Sequence, residues 1–240
     1  MRTCEKNEYL DGYMWSDLWE ICLKQAEPFD PLSAHEIILI APIPNQTGVL
    51  IFTDKKIYHS EENGLTTLQR YSAAHCFPHY KLICACLKAL SCFGSYKFPW
   101  LCPYFALFPL ENTQKTCWLN PLKISALHCE KGRYFAEILS GPNLLLPILR
   151  RSLMARAEIT CYLLALVRRD FFHFTNQENT PLAYLNFPDT YFARLLSKRP
   201  GLAQFTHQIG EFTRHYNKVH FLYHYERLED DPNNIDWTAW

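Results

Sequence analysis

The chain has 240 residues, 48% of them aliphatic, aromatic or cysteine and 20% charged, with 24 Lys/Arg against 24 Asp/Glu. This composition excludes a disordered polyelectrolyte and suits a folded protein able to bury a substantial core. The longest apolar run near the helical stretch, "CYLLALV", is far short of the roughly 20 residues that cross a bilayer, and the start "MRTCEKNEYLDGY" lacks the basic-then-apolar order of a secretion signal, so a cytoplasmic protein without a membrane partner is expected.

The first element in the chain is an amphipathic helix, "SDLWEICLKQA", with Ser16 as its cap and Leu18, Ile21 and Cys22 at helical spacing. "EPFDPLS" stops it. "EIILIAPIPNQTGVLIFTDKKIYH" follows as two β-rich runs joined by a turn containing Asn45 and Gly48, a hairpin signal. Residues 65–90 turn helical, with a break near Pro78 because proline has no amide hydrogen for an interior turn.

"YFALF" and "TCWL" read as strands around the polar loop "ENTQK", with Phe105, Leu107 and Trp118 packing the sheet and Lys115 and Lys123 on its rim. Trp118 could instead stack on a ligand, but a tryptophan beside aliphatic strands is usually core. The strands continue through "LKISALHC" and "RYFAEIL", separated by "EKG", and "GPN" turns the chain into "LLLPI". No glycine or proline interrupts residues 149–169, where Leu153, Ala157, Cys161 and Leu164 share a face and Arg150 and Arg151 lie near the start. Shorter helical pieces such as "YFARLLSK" and "GLAQFTHQIGEFTRHYNKVHFLYHY" lead to an acidic tail. No internal repeat and no low-complexity linker appears. The expected fold is a single mixed α+β domain with a mainly antiparallel central sheet and helical additions at both ends: an N-terminal extension over 1–35, a core over 36–170 and a helical C-terminal region over 171–240.

Ten cysteines in hydrophobic settings, in a chain too long to need staples, read as reduced, buried thiols. The densest group, "HCFPHYKLICAC", offers His75, Cys76, His79, Cys84 and Cys86 as a zinc site, but there is no Cys-x-x-Cys knuckle and Cys84 and Cys86 are one residue apart, so no metal is expected. Nothing points to catalysis. Gly-x-Ser-x-Gly, a phosphate loop, a dinucleotide fingerprint and His-Glu-x-x-His are all missing, and the adjacent carboxylate pairs Glu61/Glu62 and Asp230/Asp231 diverge in any regular element. His207, His215, His220 and His224 are spread along one stretch, where helical spacing brings the last two together without making a site. A protein with no enzymatic step and no cofactor is expected.

Charge carries a stronger signal. Residues 1–40 hold three Lys/Arg against eight Asp/Glu and residues 221–240 one against five, leaving twenty against eleven in residues 41–220. A basic middle between acidic ends suits a body that meets a polyanion while its ends stay away. The candidate DNA contacts are Arg70, Lys81, Lys88 and Lys97 before the "YFALF" strand, Lys115 and Lys123 around it, and Arg150, Arg151 and Arg156 at the start of the long helix. Each alone is equally an ordinary solvent-facing charge. Only convergence would make them a site.

The order of these stretches resembles the competence transcription factor ComK family of low-GC Gram-positive bacteria. The matching segments are "QRYSAAHC" around Arg70, "KFPWL" from Lys97, "YFALFP", "ENTQKTCWLNP" with Trp118, and "GRYFAEILSGPNLLLPILRRSLMARAEITCYL", so the resemblance covers about residues 36–170. The chain departs from the family in lacking its paired glycines and double basic residue, with "FPHYKL" in their place, and in having phenylalanine within the Lys-Pro-Pro segment. The resemblance implies a transcriptional activator of DNA-uptake and recombination genes that binds A/T-rich boxes through the minor groove of duplex DNA as cooperating dimers. "HFLYHY" is distantly similar to the motif by which a proteolytic adaptor recognises the family. The competing expectation is a protein-interaction module derived from such a factor, with weakened DNA binding.

Overall fold

Strands buried on both faces, short as they are, build the central sheet. In the computed structural model, which describes residues 9–90, 97–111 and 115–230 and only the backbone of 227–230, seven short strands form it: β1 (Glu27–Pro28), β2 (Ile37–Pro42), β3 (Val49–Thr53), β4 (Ile57–Ser60), β5 (Trp100–Leu101), β6 (Ala106–Pro109) and β7 (Trp118–Leu119). Their order is β1-β4-β3-β2-β7-β6-β5, antiparallel throughout except where β1 pairs parallel with β4. The sheet is apolar on both faces. Ile40, Val49, Ile51, Leu107 and Trp118 enter one core, while Leu39, Leu50, Phe52, Ala106, Phe108 and Leu119 enter the other. A bulge between Ile37 and Leu39 breaks the alternation of β2, so Ile38 and Leu39 serve the same core.

The expected β2–β3 hairpin is present, with Asn45 at φ 59° and Gly48 at φ 98°. Gly48 is needed twice over, since a Cβ there would also lie 2.5 Å from the Ser60 carbonyl oxygen. The expected helical stretch divides at Pro78 into α2 (Gly64–Ala74) and α3 (Tyr80–Ala89), the latter capped by His79. Leu68 and Tyr71 of α2 cover the Trp118 face of the sheet, and Leu82, Ile83, Cys86 and Leu87 of α3 join the opposite core.

α4 (Arg150–Asp170) lies on that opposite face, and its predicted stripe of Leu153, Ala157, Cys161 and Leu164 is wholly buried. Three further strands, β8 (Ile124–Glu130), β9 (Arg133–Ile138) and β10 (Leu144–Leu146), make a separate antiparallel sheet rather than extending the first. Its inner residues Ile124, Ala136, Ile138 and Leu144 join the α4 core. α5 (Tyr191–Leu196) packs on β8, and α6 (Glu211–Asp230) packs on α3 and α4. The predicted last helical stretch begins later than its sequence suggests, because residues 200–202 form only a short 3-10 turn.

One expectation is corrected at the N-terminal end. α1 (Asp17–Gln25) buries Trp19 and Cys22, while Ile21 is 48% exposed and the Ser16 hydroxyl makes no cap bond. The short helix docks by the large indole, whose Nε1 donates to the Asp11 carbonyl at 2.9 Å, with Leu18 and Cys22 of the predicted stripe packed on the core and Ile21 turned away. Residues 9–35 are also woven into the body: β1 extends the central sheet, and Leu10 bridges to Leu144 of β10. The thiol expectation holds for Cys22, Cys86, Cys102, Cys117 and Cys161, but Cys76 and Cys129 are exposed. Cys76 follows a helix end with φ at 53°, and Cys129 lies at the solvent-facing end of β8. No helix among the described residues is long and apolar enough to cross a membrane.

Candidate nucleic-acid interface

The strongest group of available cations surrounds the start of α4. Leu149 occupies the cap position with an extended backbone, offers no side-chain acceptor and is 64% exposed. The first-turn amide hydrogens are therefore left to solvent, and no acidic residue lies in that turn. Arg150 and Arg151 are exposed there, at the positive end of the helix dipole, where cations are disfavoured by a few tenths of a kcal/mol. Packing holds the helix despite this. Leu153 and Ala157 are fully buried, and Arg156 Nη1 donates to the carbonyls of Pro109 at 2.7 Å and Leu110 at 2.8 Å, fixing the second turn of α4 to the end of β6.

Those carbonyls hold the beginning of the β6–β7 connection against the second turn of α4, and Lys115 is exposed on the same connection. On the other side, a cleft of about 290 Å³ is lined by Asp11, Tyr13, Met14, Arg133, Leu145, Leu146 and Pro147, with Pro147 two residues before the α4 cap. Tyr13 donates its hydroxyl hydrogen to the Glu111 carboxylate, tying the N-terminal loop to the hairpin. Lys115, Arg133, Arg150 and Arg151 form no ion pair among the described residues. Tyr13, Met14, Trp15 and Leu149 are exposed on the same segments, and the acids of this end are Asp17, Glu111, Glu130 and Asp11, which lines the cleft with Arg133.

The nine predicted contacts do not share one surface, and Lys88, like Lys81, is exposed on α3. Arg150, Arg151 and Lys115 belong to the end just described, with Arg156 turned inward against carbonyl oxygens. Arg70 lies on α2, across the sheet from α4, and pairs with Glu62 at 3.2 Å. Lys123 follows the far end of β7 and pairs with Glu36 at 2.7 Å. Lys81 on α3 and Lys97 before β5 are exposed and form a third location, linked by the Tyr80 hydroxyl donating to the Phe98 carbonyl at 2.8 Å.

Sequence reasoning missed Arg133 and the apolar trio Met14, Trp15 and Leu149. The "EKG" turn was the available signal for Arg133, since it sets the arginine at a strand start beside the turn; nothing local marked the trio. It also missed the interior use of Arg168 and Arg169, both 6% exposed. Trp118 is fully buried in the core, with Gly64 packed so closely that a Cβ would lie 3.0 Å from its Cδ1. In the "HCFPHYKLICAC" stretch the His75 ring bonds the Pro31 carbonyl at 2.9 Å and His79 caps α3, and among the described residues no three His, Cys, Asp or Glu gather as metal ligands. His220 and His224 do meet, with ring centroids 4.3 Å apart. No family model, curated protein or solved structure matches the chain.

Proposed function

We propose that this protein is a DNA-binding transcriptional activator that grips duplex DNA with the end of the molecule around the α4 start. The observation that carries the reading is the set of Lys115, Arg133, Arg150 and Arg151, exposed and without ion pairs among the described residues, beside uncapped helix amides and exposed apolar side chains. Cations and helix N-termini bind phosphates without reading bases. Selectivity for A/T-rich sites then comes from the narrow minor groove, whose negative potential draws in arginine and whose steps accept apolar wedges such as Trp15 or Leu149. The resemblance to the ComK family supports the competence version of this function, with cooperating dimers making two degenerate readings specific. It also supports turnover through a proteolytic adaptor.

A second reading, a protein-interaction module with weakened DNA binding, is favoured by the pairing of Arg70 and Lys123 with carboxylates. Gel shifts on A/T-rich duplexes across a salt series separate the two. The activator reading expects affinity to fall steeply with salt and a slope reduced by about 2 when both Arg150 and Arg151 become alanine, at about 0.9 per lost phosphate contact. Salt-independent binding, or a slope unmoved by that double substitution, refutes the interface. Selection from a random duplex pool should enrich spaced A-runs and T-runs.

A further inference from the structure

The opposite end of α4 closes on a cleft that DNA binding does not use. Its volume, about 470 Å³, lies within the roughly 300–1,000 Å³ range of small-molecule sites. Arg168 forms part of its wall although only 6% exposed. Nε donates to the Pro103 carbonyl at 2.7 Å, Nη1 to Tyr184 at 2.7 Å and Nη2 to Tyr104 at 2.6 Å. A guanidinium has five N–H groups, so one on each Nη remains without an acceptor among the described residues.

No carboxylate pairs with Arg168 among the described residues, whereas its neighbour Arg169 meets Asp170 at 2.6 Å. Within hydrogen-bond reach the buried charge therefore meets carbonyl dipoles and no carboxylate among the described residues, with Glu36 acting only from farther away, and burial lowers its pKa from the usual arginine value. A desolvated cation without a counter-charge is costly. Around the cleft the Phe174 ring lies 5.6 Å from the Arg168 Cζ and Tyr104 is 67% exposed. Asn176 and Asn186 line it, are exposed, and make no side-chain hydrogen bond among the described residues.

We propose that this cleft binds a small planar organic anion, its carboxylate or phosphate on the remaining Nη hydrogens of Arg168 and its ring against Tyr104. Bidentate oxygen pairs match the guanidinium edge, and an exposed tyrosine supplies a stacking face. The amides of Asn176 and Asn186 supply hydrogen bonds to ring substituents. A guanidinium that served only to hold residues 103–104 and Tyr184 together would meet these carbonyls equally well but would bind no anion.

Isothermal titration of the full chain with adenosine monophosphate and with 4-hydroxybenzoate covers the phosphate and carboxylate sources, with adenosine and phenol as uncharged counterparts. Saturable binding of either anion at a Kd near or below about 1 mM is expected, its counterpart being weaker by about tenfold or more. Tyr104→Ala, at an exposed position, should weaken binding about fivefold with an unchanged melting temperature. Arg150→Ala/Arg151→Ala should leave it intact. Absence of saturation by both anions, equal binding of the uncharged partners, or loss on the Arg150/Arg151 change with none on Tyr104→Ala would each overturn the proposal.

Discussion

α4 carries two adjacent arginine pairs, one at each end, and they are used in opposite ways. Arg150 and Arg151 face solvent against the helix dipole, whereas Arg168 and Arg169 are buried in accord with it. The difference is made by the chain that follows. After Asp170 it returns over the helix end, and the carbonyls of Tyr184, His207 and Gln208 close on the two guanidinium groups while the Phe205 ring centroid lies 3.9 Å from the Arg169 Cζ. Basic residues counted along a sequence therefore overstate the charge left for a polyanion. One pair joins the C-terminal segment to the body, and the other is available.

The largest test of that contrast is Arg169→Met. Asp170 would keep its bond from the Phe212 amide at 3.2 Å but lose its buried counter-charge. Removing one member of a buried pair costs about 3–5 kcal/mol, which urea unfolding would report as a lower midpoint. Adding Asp170→Asn should recover part of the loss. A single substitution costing under about 1 kcal/mol would show that the junction is solvated.

Gly64→Ala comes next and probes the sheet face away from both pairs. The added methyl would meet the Trp118 ring at 3.0 Å and 3.2 Å, in a core fully closed around it. Overpacking of this kind costs about 1–3 kcal/mol, offset by up to about 1 kcal/mol of helix propensity. A thermal melt should fall by a few degrees. An unchanged or raised melting temperature would mean that Trp118 moves aside at no cost.

Local patterns were readable where local physics decides them. The Asn45/Gly48 turn, the Pro78 break, the hidden stripe of α4 and the paired strands around residues 110–117 all follow from periodicity and turn chemistry. Long-range partnerships were not. The parallel seat of β1 beside β4, the Leu10–Leu144 bridge and the separate β8–β10 sheet depend on contacts far apart in the chain. The candidate interface was legible only in part. Arg150, Arg151 and Lys115 were named from charge and position, but nothing near Arg70 or Lys123 says that Glu62 and Glu36 will meet them. Arginine looks the same in sequence whether carbonyls or water await it.

Replacing both Arg150 and Arg151 by alanine sharpens the contrast from the other end of α4. The cations oppose the dipole and pack against little, so unfolding free energy should change by less than about 0.5 kcal/mol, in the stabilising direction. Affinity for A/T-rich duplexes should nevertheless fall at least tenfold at low salt. Opposite signs in the two measurements would identify residues kept for binding. A large stability loss would instead make them part of the scaffold, like Arg168 and Arg169.

The smallest expected effect is a pH dependence at a third helix end. His79 caps α3, its Nδ1 accepting the Lys81 amide hydrogen at 3.3 Å, and burial first, then the Lys81 ammonium, lower its pKa from the ordinary imidazole value. The native state thus binds this proton less readily than the unfolded chain. The stabilisation is fully present above the unfolded-chain value of about 6.5 and is lost as the pH falls through the window below it to the lowered native pKa. Protonation also turns the capping acceptor into a donor facing an amide hydrogen at the positive end of a helix. His79→Asn keeps an acceptor and removes the titration, so melts between about pH 7.5 and pH 5 should show a shallower decline than in the parent. His207, whose pKa burial also lowers, is unchanged in both proteins and drops out of the comparison. Parallel curves would mean that the α3 cap does not depend on the charge of its histidine.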